Sequence, residues 1–318
     1  MFLKKKKYFL NLSFFLMLLG VLMGLNSVSW LMMWLSMEIT LMFFIPQMML
    51  KKSMIESFSC LKYFIFQCLG SIFFILGSLN FFIFNIFGLF LKLGLFPSHF
   101  WMLSVSKSLN WVNFMFLMTI QKILPLMFLI FNMKITMFFF FILIFFNSLV
   151  GNLGSLNQMD LRLLMTFSSM NHMTWMIIST MFNMYFFYMY FMFYFVLMYF
   201  MFLFFNKMKI FFLFQIFYLK NFKLKFNYLF VFMLFFSFMG FPPFMGFLLK
   251  LISMMSLSNF YFFLFMFFML MQNLFISFSY IRVMIYLFLN ISRSMKMNKF
   301  NLKKYFNLIY FIVFLMLF

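Results

Sequence analysis

Eleven runs of apolar residues, each long enough to cross a bilayer, leave this chain few folds to choose from. They fall at about 8–25, 29–50, 61–79, 82–103, 110–131, 135–152, 162–182, 184–205, 226–249, 259–285 and 305–318. A spanning helix needs about 20 apolar residues, and only short basic segments separate these runs. With 68% hydrophobic and 8% charged residues, too little polar side chain remains to coat a soluble surface. A membrane barrel would need ten-residue segments of strict alternation, and none persists. The chain therefore reads as all-α: a polytopic transmembrane helix bundle of about 11 spans, forming a single membrane-embedded domain over residues 1–318.

The basic residues give an independent check on the span count. With Lys4–Lys7 on the positive side, eleven spans place 20 of the 24 basic residues on that side. Only Lys134 falls opposite, and the remaining three lysines lie inside spans. This is the asymmetry of the positive-inside rule. It also answers the net charge of +21, which reads as a topology signal and gives no reason to expect nucleic acid.

Alanine is absent, while Phe (67) and Met (40) are over-used. Avoidance of GC-rich codons and a code reading AUA as Met would produce this bias. The inferred source is a mitochondrial gene and the inferred location the mitochondrial inner membrane. The N-terminus is then expected in the matrix and the C-terminus in the intermembrane space. Cys60 and Cys68 lack metal or redox spacing and read as free, buried thiols.

Four charges stand inside these runs: Glu38 in SWLMMWLSMEITLMFFIP, Lys92 in FFIFNIFGLFLKLGLFP, Lys122 in FMFLMTIQKILPLMFLIF and Lys250 in FFSFMGFPPFMGFLLKLISMM. Each costs about 2.5–3.5 kcal/mol or more at the centre of a membrane helix, and such residues usually mark ion or proton paths. Burial disfavours a charged lysine and a nearby carboxylate favours it. A Glu–Lys pair whose separation changes can therefore load and release a proton. Glu38 and Lys92 are the candidates for that role, with Lys122 and Lys250 further along. His99 and His172 are candidate relays by residue type, although a histidine in such a helix also serves as a hydrogen-bonded packing residue. A lysine near a helix end can snorkel without function, and Lys250 lies nearest a span end.

Helix breakers accompany two of the lysines. Gly94 and Pro97 follow Lys92, while Gly240, Pro242, Pro243 and Gly246 precede Lys250. Two discontinuous helices are expected there, near Gly94–Pro97 and Gly240–Gly246, as in transporter ion sites. Pro125, three residues after Lys122, is expected to act similarly but more mildly.

At these residues the chain resembles the subunit 2 family of mitochondrial NADH dehydrogenase. The segments carrying the resemblance are LKLGLFPSHFW (91–101), LNW (109–111), TIQKILP (119–125), GNLGSLNQMDLRLLMTFSSMNHMTWM (151–176) and GFPPFMGFLLK (240–250). Upstream, SWLMMWLSMEITLMFFIP (29–46) and KYFIFQ (62–67) match in the same order. The resemblance implies an antiporter-like, proton-translocating subunit of respiratory complex I, partnered by other membrane-arm subunits and the lipid bilayer. It also implies that Glu38, Lys92, Lys122 and Lys250 carry the protons. The sequence departs from the family pattern at Leu163, which stands for a second basic residue, and at Met102–Val105, where a Pro-Glu is missing. Glu56 is out of register with the family's glutamate, so no role is carried onto it. Asp160 and Arg162 read as a structural pair or cap.

There is no GxGxxG turn, phosphate loop or iron–sulfur cysteine set. No cofactor is expected on this chain. NADH, FMN, iron–sulfur clusters and ubiquinone are expected in partner subunits. Two rival readings remain: a scaffold that does not pump, and a free-standing cation/proton antiporter.

Overall fold

A computed structural model describes residues 2–49, 53–78, 82–132, 137–180, 184–218, 225–242, 244–255 and 260–295. The described chain is all-helical: α1 (Phe2–Leu25), α2 (Trp30–Met48), α3 (Met54–Ser78), α4 (Phe82–Leu93), α5 (Phe100–Ser106), α6 (Trp111–Met118), α7 (Ile120–Asn132), α8 (Met137–Ser155), α9 (Leu161–Thr180), α10 (Met184–Met208), α11 (Lys225–Met239), α12 (Met245–Met255) and α13 (Phe260–Met295). A 3-10 turn covers Leu213–Tyr218. Among the described residues, six helical segments are long and apolar enough to cross a membrane: Tyr8–Leu25, Trp30–Met48, Met54–Ser78, Trp111–Ile130, Met184–Met208 and Phe265–Leu287. Shorter apolar helices lie at Ile83–Leu93, Phe140–Ser155, Phe230–Met239 and Met245–Met255. The expected run at 305–318 lies outside the described residues.

The chain divides into two compact units, residues 1–143 and 144–318. In the first, α1 lies along α2 and α3 along α4, while α7 packs on α1, α2 and α4. Glycines make these contacts close. A Cβ at Gly20 would stand 2.9 Å from Ile39 Cγ2, and one at Gly88 would stand 2.6 Å from the Gly70 carbonyl oxygen. Bilayer lipid is as apolar as leucine, so helices in it associate through close packing of small residues. Gly88→Ala is expected to destabilise the α3–α4 pair by about 1–3 kcal/mol, because backbone rather than a flexible side chain must give way. A lowered thermal dissociation midpoint of the assembled protein would show it.

In the second unit α9 is the central helix, with α10 and α12 packed on it. Apart from Arg162, the residues from Leu161 to Ser179 are buried, including Thr166, Ser168, Ser169, Asn171, His172 and Thr174. That explains why α9, at 20 residues, falls below the hydropathy of a lipid-facing span. Protein surrounds it, and its hydroxyls bond back to its own carbonyls, Thr166 to Leu163 at 2.7 Å and Ser168 to Met165 at 2.8 Å. The start of α9 is tied down by Leu161 N–H donating to Phe211 O (2.9 Å) and Leu213 N–H donating to Met159 O (3.0 Å). The Arg162 guanidinium lies 4.6 Å from the centre of the Phe211 ring.

Glu56 is buried in the first turn of α3, and its backbone N–H donates to Ser53 Oγ at 3.3 Å. Ser53-Met54-Ile55-Glu56 is thus an S-x-x-E helix start. Both cysteines are free; Cys60 is buried and Cys68 half-buried.

Candidate functional site

Helix α4 stops one residue after Lys92. Gly94 adopts φ +66°, Leu95 N–H donates to Phe90 O (3.1 Å) and Gly94 N–H to Leu91 O (3.3 Å). This is a Schellman ending, in which the left-handed position favours glycine. The carbonyls freed at a helix end need partners when water is excluded, and here side chains supply them. Ser98 Oγ donates to Phe90 O (3.2 Å), Trp101 Nε1 to Leu91 O (3.0 Å) and Gln67 Nε2 to Lys92 O (3.2 Å). Gln67→Leu is expected to leave the Lys92 carbonyl unpaired at a cost of about 1–3 kcal/mol. Faster hydrogen exchange across residues 90–95 is the measurement that checks it.

Lys92 sits in the last turn of α4, where the helix dipole favours a cation. Its Nζ donates to Glu38 Oε1 at 3.0 Å, and the two side chains are 2% and 23% exposed. The lysine stem crosses α3 at Gly70, where a Cβ would approach Lys92 Cγ to 2.8 Å. Glycine there is a steric requirement, because the stem passes through the space a side chain would fill.

Lys122 is buried in α7, 3% exposed. The interruption near it differs from the expected one. Pro125 lies inside α7, whereas the helix breaks at Thr119, with φ −119° and ψ −74°. A proline removes the donor to the carbonyl four positions earlier, here that of Gln121, and the irregular residue lies two positions further upstream. Beside Lys122, Gln121 ties three helices together. It donates to Thr40 O (3.2 Å) and accepts from Tyr63 O–H (3.3 Å).

The second unit repeats the glycine-capped ending. Gly240 has φ +77°, and Phe241 N–H donates to Phe236 O at 3.2 Å where α11 stops. Lys250, buried on α12, donates from Nζ to Met239 O at 2.8 Å. The ammonium therefore caps the carbonyl end of α11, again at the negative pole of a helix. A cavity of about 240 Å³ borders it, with Asn273 and Ser277 among the lining residues.

The histidines sit apart from these lysine contacts. His99 precedes α5 with its ring 4.1 Å from that of Phe100. His172, in α9, makes a 3.2 Å hydrogen bond through Nδ1 with the Tyr190 hydroxyl and packs on Phe238, one residue before Met239. Sequence reasoning missed the amides Gln67, Gln121, Gln272 and Asn273. Gln272 Oε1 accepts from Ser148 Oγ, and Asn273 Oδ1 accepts from Asn171 Nδ2 at 2.8 Å. The signal was available, since an unpaired amide in an apolar run is also costly.

An all-helical membrane protein with a Glu–Lys pair, its lysine buried, beside a glycine-terminated helix is therefore the class that fold and site define. The family described as NADH:quinone oxidoreductase/Mrp antiporter, TM, matches residues 78–277, and the chain belongs to it. Among individual proteins, it is 37% identical over 230 residues to NADH-ubiquinone oxidoreductase chain 2 of Anopheles gambiae, covering 67% of each chain. The fold matches a chain of respiratory complex I from Thermus thermophilus with a TM-score of 0.77 at 18% identity, over 88% of this chain and 70% of that one. It also matches a chain of the Mrp complex from Dietzia sp. DQ12-45-1b, with a TM-score of 0.72 at 13% identity, over 84% and 58%.

Proposed function

We propose that the chain is a proton-translocating, antiporter-like subunit of the membrane arm of NADH:ubiquinone oxidoreductase in the mitochondrial inner membrane. Redox chemistry on partner subunits drives it, and the chain itself carries no cofactor. It crosses the bilayer eleven times as one domain, with the N-terminus in the matrix and the C-terminus in the intermembrane space. In this reading α4–α5 and α11–α12 are each one membrane helix broken at its glycine. Glu38 sets the charge state of Lys92, and protons pass by Lys122 to Lys250, with His99 and His172 as candidate relays.

The observation that carries this reading is the 3.0 Å Glu38–Lys92 pair. It is set at a helix end whose carbonyls are satisfied by side chains, so Lys92 can change partner without unravelling its support. The test is proton uptake into vesicles containing the assembled complex. The expected result is that Lys92→Met abolishes the share of uptake due to this subunit while assembly on a native gel persists. Normal uptake in the assembled variant would refute it.

The scaffold reading has one observation in its favour: Lys250 is held by the Met239 carbonyl, a structural helix cap. Lys250→Met separates the two readings. Pumping requires lost uptake, whereas a cap alone gives only lower thermal stability. A free-standing antiporter would migrate alone instead of in a large assembly.

A further inference from the structure

Helix α10 carries an outward stripe that changes chemistry along its length. Tyr185, Met189, Met192, Val196 and Phe200 line an apolar hollow of about 610 Å³, closed on its other walls by Phe230 of α11 and by Leu248 and Ile252 of α12. Met192 is 66% exposed and Tyr185 62%. One turn further on, Phe200, Leu203 and Phe204 line a second hollow of about 430 Å³, which ends at the exposed Asn206 and Lys207. The two hollows meet at the Phe200–Phe230 ring pair, whose centroids are 5.4 Å apart.

At 1.5 Å per residue, Tyr185 to Phe200 spans about 22 Å, and Lys207 lies about 10 Å beyond. Among the described residues the result is a largely hydrocarbon-lined trough, narrowed by two rings, with the Tyr185 hydroxyl towards one end and Lys207 and Asn206 at the other. A water-soluble ligand would meet no polar side chain along the trough but the Tyr185 hydroxyl. A transmembrane helix of a neighbouring subunit would cover the apolar walls and leave Lys207 and Asn206 to water. A phospholipid fits both parts, its acyl chain in the trough and its phosphate at Lys207, in the manner of basic pockets beside membrane helices.

We propose that the α10–α11–α12 groove is a binding site for an anionic phospholipid, with Lys207 and Asn206 holding the head group. This assignment goes beyond proton transfer and uses none of its residues. A neutral, zwitterionic lipid gains less at Lys207, because its own ammonium competes for the phosphate.

The test uses the assembled complex in nanodiscs of phosphatidylcholine carrying a trace of phosphatidylglycerol with a photoreactive acyl chain, followed by peptide mapping. Label is expected on residues 189–200 and 245–252. Lys207→Gln should reduce it about fivefold, the worth of one basic residue near an anionic head group. Val196→Trp, which fills the trough, should reduce it at least as much, with assembly checked on a native gel. Photoreactive phosphatidylcholine should label these peptides about fivefold less than phosphatidylglycerol. Equal labelling by both lipids, unchanged by Lys207→Gln, would overturn the proposal and leave only annular lipid. Protection of these peptides from both lipids, with crosslinks instead to another subunit or to residues 296–318 of this chain, would overturn it in favour of a helix in the groove.

Discussion

Glu38→Gln is expected to lower proton-coupled turnover of the assembled complex by about tenfold or more, short of the roughly 10²–10⁴-fold that a positioned acid–base group contributes to a single chemical step. The exchange keeps the shape of the side chain and removes its charge. Lys92 would then keep its burial among α2, α3 and α4 but lose the carboxylate 3.0 Å from its Nζ. Breaking a fully buried pair from one side costs about 3–5 kcal/mol, because the remaining charge has no compensation; with Glu38 partly exposed, the cost here is smaller. Without the carboxylate, Lys92 no longer has a partner to move toward and away from, so the pair cannot load and release a proton. Lys92→Met strands the carboxylate instead and should impair turnover equally. Glu38, at 23% exposure, has a less severe burial to relieve, so this variant is expected to assemble better. Turnover with a quinone acceptor, measured beside proton uptake, checks both. Two assembled variants with normal coupled turnover would exclude a role for the pair.

Gly246→Ala is expected to be the most damaging small substitution in the second unit. The first residues of α12 press against the end of α11 so closely that a Cβ at Gly246 would collide with the Ser237 carbonyl oxygen. Backbone cannot swing aside as a side chain can, and overpacking of this kind costs about 1–3 kcal/mol or more. The damage reaches the site as well. Lys250 is one turn further along α12, so pushing α12 outward draws its ammonium away from Met239 O, now 2.8 Å distant. Loss of thermal stability together with loss of proton uptake is the expected pair of results. Gly240→Ala should be damaging for a second reason, since its φ of +77° disfavours any side chain. Comparing the two separates steric contact from backbone strain.

The charged residues were legible from sequence because one argument, the cost of burial, singles them out whatever the fold. Both helix ends near the lysines were legible too, since Gly94 and Gly240 stand where only glycine terminates a helix comfortably. Other features were hidden for physical reasons. The disturbance near Lys122 was expected at Pro125, whereas the helix breaks at Thr119. The partner of Lys250 was beyond reach, since a backbone carbonyl leaves no mark in the side-chain sequence. Gln67 and Gln121 were overlooked as ordinary polar residues, although each reaches a neighbouring helix.

The most direct measurement is an electron cryo-microscopy structure of the assembled complex in lipid, at a resolution that shows ordered water, with attention to Lys92, Lys122 and Lys250. If the chain carries protons through these residues, a hydrated polar line will join them, with Glu38 at Lys92. Lysines separated by dry, packed Phe and Met would contradict the account.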